Sequence, residues 1–173
     1  MRKARVVPMI ILAGLFLAQA VVRAGETRPF YAEIQVTAES LSQDWQSSCL
    51  AMGYDGAFEA TRAGQATHLG RVTSVERGCL RFDEYPIVHS NFWLTLTAAN
   101  GDTLASINEI AFDFSNDESP ATGTFTITGG TGRFARAVGV GTLRNVAMQG
   151  NAGFVIIQEG WISYEASDRG ADK

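Results

Sequence analysis

Apolar and polar residues alternate with a period of two along much of the chain from Phe30 onward. In the first run Phe30, Ala32 and Ile34 are separated by single residues of a more polar face, and threonine is the alternating partner over 121–128. This period is typical of strands that turn one face to a core and the other to water. It predicts eight strands, over 30–38, 56–62, 65–76, 91–99, 102–114, 121–128, 133–146 and 153–165.

Turn-forming residues separate these runs at short intervals. They include Asn100-Gly101-Asp102, the polar stretch 116–120, and Gly129-Gly130-Thr131-Gly132. Such short connections predict hairpins without crossover helices, and closing the sheet on itself removes exposed strand edges. We therefore predict an all-β fold, an eight-stranded antiparallel up-and-down β-barrel, whose interior is either just filled or holds one small ligand.

One segment departs from the period of two. Leu41, Trp45, Cys49 and Met52 recur at helical spacing, which predicts a short helix near residues 41–51. Ser40, followed by Gln43, resembles a capping box. The helix could be a lid over one mouth of the barrel or a part of the core, and apolar stripes favour packing in the core.

The first 24 residues have the order of a secretory signal peptide: a basic start, an apolar run over 6–22, and small-residue exits at Ala20 and Ala24. The alternative is an uncleaved anchor, because the apolar run approaches the length of a membrane span. We predict a signal peptide over 1–24, one barrel domain over 25–166 and a disordered tail over 167–173. The mature protein is then secreted or periplasmic.

Charge narrows the choice of partners. The 173 residues contain 14 Lys and Arg against 18 Asp and Glu, and cleavage after Ala24 removes four basic residues and no acidic one. The mature chain then has a net charge of −8, which argues against binding to nucleic acid or to an anionic membrane after signal cleavage.

Cys49 and Cys79 are the only cysteines. Export places them in an oxidising compartment, so we predict a Cys49–Cys79 disulfide, with two separate buried thiols as the alternative. The sequence has no Cys-x-x-Cys motif, and neither histidine has a second ligand at metal-site spacing. We therefore predict no metal and no cofactor.

Candidate site residues come from the strand pattern. Glu109 and Glu159 lie on otherwise apolar strand faces. A carboxyl group on an inward face would favour its neutral form and could donate a proton or orient a ligand, whereas on an outward face it is an ordinary solvated group. Trp161, Phe112 and Phe125 are the predicted contacts of an apolar ligand.

A longer motif carries a family resemblance. Residues 126–143 read Thr-Ile-Thr-Gly-Gly-Thr-Gly-Arg-Phe-Ala-Arg-Ala-Val-Gly-Val-Gly-Thr-Leu. This segment resembles the allene oxide cyclase and dirigent barrels, and with 67–73 and 96–102 it is similar to the exported bacterial proteins grouped with them as allene-oxide-cyclase-barrel-like. The resemblance implies an eight-stranded antiparallel barrel with a central cavity and, in the plant relatives, a trimer.

The resemblance implies the scaffold and not the reaction. Between Phe30 and Asp55 the chain lacks the Asp-Arg-x-Ser-Pro segment of the plant cyclases, and the N-terminal His-Asp signature of dirigent proteins is absent. Three hypotheses follow: binding of a small apolar molecule in the cavity, a cofactor-free cyclase or isomerase, and a structural or interaction protein of the cell envelope that could form a homo-oligomer.

Overall fold

The computed structural model describes residues 26–115, 121–147 and 154–165. The predicted signal peptide and the predicted tail lie outside these ranges. The elements are β1 (Thr27–Leu41), α1 (Gln43–Ala51), β2 (Gly56–Ala66), β3 (Gly70–Arg81), β4 (Ile87–Ala98), β5 (Thr103–Asp113), β6 (Ala121–Gly130), a 3₁₀ turn (Gly132–Phe134), β7 (Val138–Ala147) and β8 (Phe154–Ser163).

Each strand pairs antiparallel with its neighbours in the chain, and β1 also pairs with β8 to close the barrel. The predicted fold class is therefore confirmed. The predicted strand over 133–146 begins too early, because the chain first makes the 3₁₀ turn and enters β7 only at Val138. Gly132 has a positive φ of 56°, and the turn places Phe134 in the core.

One end of the barrel, which we call the sealed end, holds the connections 67–69, 99–102 and 131–137. Phe134 is fully buried there, with its ring centroid 4.9 Å from that of Tyr164. Arg28 lies over the Tyr164 ring and donates a hydrogen bond of 3.1 Å to its hydroxyl group. Aromatic packing and this cation–π contact close the lumen at this end.

The opposite end, which we call the helix end, holds α1 and the connection 82–86. A β-bulge between Val36 and Ala38 shifts the register of β1 against β2 as the strand approaches this end. Beyond the bulge Glu39 pairs with the inward-facing Ala60. The bulge therefore reverses the alternation of β1 and gives Glu39 the register of the interior.

The helix α1 lies against the outer wall of the barrel, next to β2 and β3, and is neither a lid nor part of the main core. Its buried residue, Cys49, forms a disulfide with Cys79 of β3, and both pack with Ala57 in a small second cluster. The helix begins at Ser42, whose hydroxyl group accepts a hydrogen bond from the Trp45 N–H at 3.3 Å, so the predicted capping box at Ser40 is wrong. The described residues contain no helix that is long and apolar enough to span a bilayer.

The disulfide makes a first prediction. The double variant Cys49→Ala/Cys79→Ala opens a covalent loop with a sequence separation of 30 residues. Loop-closure entropy gives an expected loss of roughly 3 to 4 kcal/mol in the free energy of unfolding, measured by guanidinium titration. A loss below about 1 kcal/mol would show that the bridge does not constrain the unfolded chain.

Candidate functional site

A cavity of about 220 Å³ lies inside the barrel at the helix end. Three exposed aromatic side chains stand at its mouth: Phe82, Phe114 and Phe154. Deeper in the lumen its walls are formed by apolar side chains of β2, β4, β5 and β8, namely Phe58, Val88, Phe92, Ile110, Phe112 and Ile156. The walls therefore favour the hydrocarbon part of a ligand.

A glycine leaves room for the aromatic wall. Gly78 faces inward between Phe58 on β2 and Phe92 on β4, which are its direct cross-strand partners. A Cβ atom at this position would overlap the Phe58 ring and lie only 2.7 Å from the Cβ of Phe92. The two rings meet edge to face over Gly78, with centroids 6.3 Å apart.

The floor of the cavity is polar and contains a buried ion pair. Arg62 of β2 and Glu76 of β3 are 4% and 1% exposed. Arg62 binds the carboxylate in a bidentate manner, donating from Nε to Oε2 and from Nη2 to Oε1, the second bond at 3.1 Å. Both residues line the cavity, so charged groups stand at the base of an apolar wall.

Burial raises the pKa of Glu76 above its ordinary value, because the carboxylate has lost most of its hydration. The hydrogen bonds and the positive charge of Arg62 oppose this shift. The negative charge of Glu39, at the rim of the same cavity, adds to it. The protonation of Glu76 thus depends on its burial, on Arg62 and on Glu39.

Two further polar side chains, Ser90 of β4 and Asn145 of β7, line the cavity and are also buried. Next to them lies a separate polar network inside the barrel. Gln158 Nε2 donates to Asn108 Oδ1 at 2.7 Å, and Asn108 Nδ2 donates to Ser106 Oγ at 3.1 Å. The barrel interior therefore holds two groups of buried polar side chains, of which Ser90 and Asn145 border the cavity.

The predicted acidic candidates lie elsewhere. Glu109 and Glu159 are exposed on the outer wall, where they line two different grooves. The inward alternative is therefore wrong for both, because Asn108 and Gln158, one position earlier, occupy the interior. Both faces of β5 and β8 carry apolar residues, so alternation alone could not choose between them.

The predicted ligand contacts are divided among three places. Phe112 lines the cavity. Phe125 is buried deeper in the barrel, with its ring centroid 5.7 Å from that of Phe30, and Trp161 is 41% exposed on the outer wall. The tryptophan follows Glu159 outward because it shares that residue's parity on β8.

Sequence reasoning missed Arg62 and Glu76, although a signal was present. Arg62 has the parity of Phe58, Ala60 and Ala66 on β2, which are all buried. Charges of opposite sign at inward positions of neighbouring strands can pair across the ladder. The pairing of Arg62 with Ser74, two residues before Glu76, brings the two side chains together.

Comparison with known proteins supports the fold and no more. No family model and no curated protein matches the chain. The solved structure of the pterocarpan synthase dirigent protein GePTS1 is similar, with a TM-score of 0.53 over 94% of this chain and 97% of that chain, at 11% sequence identity. At this identity the likeness shows the fold alone, so the resemblance to dirigent barrels is confirmed for the scaffold.

The buried pair makes a second prediction. Arg62→Met leaves the Glu76 carboxylate buried without its partner and should lower the free energy of unfolding by about 3 to 5 kcal/mol. Arg62→Met/Glu76→Met should recover most of that loss. The matched control is Arg77→Met, which breaks the exposed Arg77–Glu59 pair of the same hairpin and should cost about 0 to 1 kcal/mol. Equal losses for Arg62→Met and Arg77→Met in urea titrations would contradict this assignment.

The pH dependence of the same variant is a third prediction. Without Arg62, burial raises the pKa of Glu76 further. A carboxyl group whose pKa is higher in the folded than in the unfolded protein disfavours folding when it is ionised. The stability lost through Arg62→Met should therefore be largest at pH 8 and shrink at pH 5, approaching the unfolded pKa of about 4.3. A loss that stays constant or grows on acidification would exclude Glu76 as its source.

Proposed function

We propose that this protein binds a small, mainly apolar molecule in the cavity at the helix end. The observation that carries the proposal is an aromatic cavity inside a barrel whose other end is sealed by Phe134. Most interior positions of the barrel are filled by packed side chains, whereas at this end the described residues leave a space that they do not fill. A ligand there would be held by hydrophobic contact on several sides.

The dimensions of the cavity limit its ligand. Its volume of about 220 Å³ is below the range of about 300 to 1,000 Å³ that is usual for sites of drug-sized ligands. An occupant of one or two rings, or one end of a longer chain, fits this space. Burial of about 150 to 250 Å² of ring surface contributes roughly 4 to 6 kcal/mol. Because immobilising the ligand opposes this gain, apolar contact gives at best a Kd between about 1 mM and tens of micromolar.

The proposal includes the location in which the protein meets its ligand. The order of residues 1–24 supports secretion, and the Cys49–Cys79 disulfide is consistent with maturation in an oxidising compartment. We propose that the protein is exported, as are the bacterial barrels that the 126–143 motif resembles. On this proposal its ligand is met outside the cytoplasm.

A cofactor-free cyclase or isomerase is the second candidate, and Glu76 is the observation that favours it. Burial raises the pKa of this carboxyl group, which lines an apolar cavity beside a guanidinium group. An acid in such a place can hold or deliver a proton at Oε while the aromatic walls fix the conformation of a reactive substrate. This function uses the same cavity and requires, in addition to binding, a proton transfer at Glu76.

A binding measurement tests the proposed function. None of the three tryptophans lines the cavity, so binding is detected through the fluorescence of the ligand and not of the protein. We choose 2-naphthylmethanol, whose fluorescence gives its concentration after equilibrium dialysis. The wild-type protein should bind it with a Kd in the range above. Val88→Phe fills the cavity wall and should weaken binding at least tenfold.

The matched control is Val75→Phe, the same exchange at a position 52% exposed on the outer wall, and it should leave the Kd unchanged. Absence of binding to the wild-type protein, or equal weakening by both variants, would overturn the proposed function.

A further inference from the structure

Three side chains that line the cavity carry a buried polar atom with no hydrogen-bond partner among the described residues. These atoms are Arg62 Nη1, Ser90 Oγ and Asn145 Oδ1. Each of the three residues is more than nine-tenths buried. Buried polar groups are almost always paired in native proteins, so three unpaired atoms around one cavity require an explanation.

Other polar side chains inside the same barrel do have hydrogen-bond partners. Asn108 and Gln158 are as deeply buried, yet they bond to each other and to Ser106. Among the described interior residues one further atom without a partner is Ser74 Oγ, on the residue that pairs with Arg62. These four atoms of the interior thus belong to residues that line the cavity or pair with one that does. The other three buried atoms without a hydrogen-bond partner in the described residues, Trp45 Nε1, Arg81 Nε and Arg133 Nε, belong to residues that do not line it.

The three atoms differ in whether they donate or accept hydrogen bonds, and this limits the ligand groups that can pair with them. Arg62 Nη1 can only donate a hydrogen bond, Asn145 Oδ1 can only accept one, and the Ser90 hydroxyl group can do either. A ligand group that both accepts and donates satisfies the set, and a hydroxyl group is the smallest that does so. A hydrocarbon satisfies none of the atoms, and a carboxylate can only accept.

Charge argues against an anionic ligand. Glu76 already neutralises Arg62 through a bidentate pair, and Glu39 lies at the rim of the same cavity. A ligand carboxylate would therefore bring a further negative charge, without a cationic partner of its own, next to buried side chains. The floor favours a ligand that is polar at one point and uncharged.

We propose that the ligand is a small uncharged alcohol, with its hydroxyl group at Arg62, Ser90 and Asn145 and its hydrocarbon part among the phenylalanines. This inference rests on the proposed function, because it names the chemical class of the molecule that the cavity takes. It adds a polar recognition site that the apolar walls alone would not require.

Three probes of matched shape test the inference by equilibrium dialysis at pH 7.5: 2-methylnaphthalene, 2-naphthylmethanol and 2-naphthoate. We expect the alcohol to bind about 10- to 100-fold more tightly than either of the others, because only the alcohol pairs the donor and the acceptors of the floor. Ser90→Ala should reduce this preference, and Ser90→Ala/Asn145→Leu should abolish it while 2-methylnaphthalene binds at least as well as to the wild-type protein.

The control is Asn91→Leu, at a position that follows Ser90 but does not line the cavity, and it should keep the preference for the alcohol. If the alcohol and 2-methylnaphthalene bind equally well, water satisfies the floor and the inference is overturned while the proposed function stands. Tightest binding of 2-naphthoate would likewise overturn it in favour of an anionic ligand. If no probe binds, the proposed function fails as well.

Discussion

Closure of the sheet through the pairing of β1 with β8 is the constraint on which the rest of the structure depends. Nine residue pairs, from Thr27 with Ser163 to Gln35 with Val155, join the first strand to the last. Because every strand then has two neighbours, alternate residues of all eight strands share one interior. A side chain's parity therefore decides whether it meets packed neighbours or water.

Parity also explains how charged groups came to lie inside. Arg62 and Glu76 hold inward positions on adjacent strands, and neither could stay buried alone, so each is retained by the other. Gly78 gives the neighbouring rings their space, and the β1 bulge turns Glu39 toward the same cavity. These local features together produce an aromatic wall above a polar floor. In this combination the cavity differs from the packed core near Phe134.

The fold was largely predictable because its signals are local. Alternation in β1, β4 and β6 predicted strands, and hairpin turns such as Asn100-Gly101 predicted their connections. Two cysteines in a chain predicted to be exported indicated a disulfide, and the structure contains all three features. The site was not predictable in the same way. On β8, apolar residues such as Ile156 and Ile157 occupy both faces, so the pattern could not show that Gln158 is inside and Glu159 outside. A charged residue such as Arg62 is assigned to the surface by default until a partner on the next strand is known.

The most direct test of this account is a crystal structure of the protein soaked with 2-bromonaphthalene, with the bromine located by its anomalous signal. The account predicts the ring inside the barrel, in contact with Phe58, Phe112 and Ile156, above the Arg62–Glu76 pair. A lumen packed solid at the helix end, or bromine found solely in the grooves of the outer wall, would contradict it.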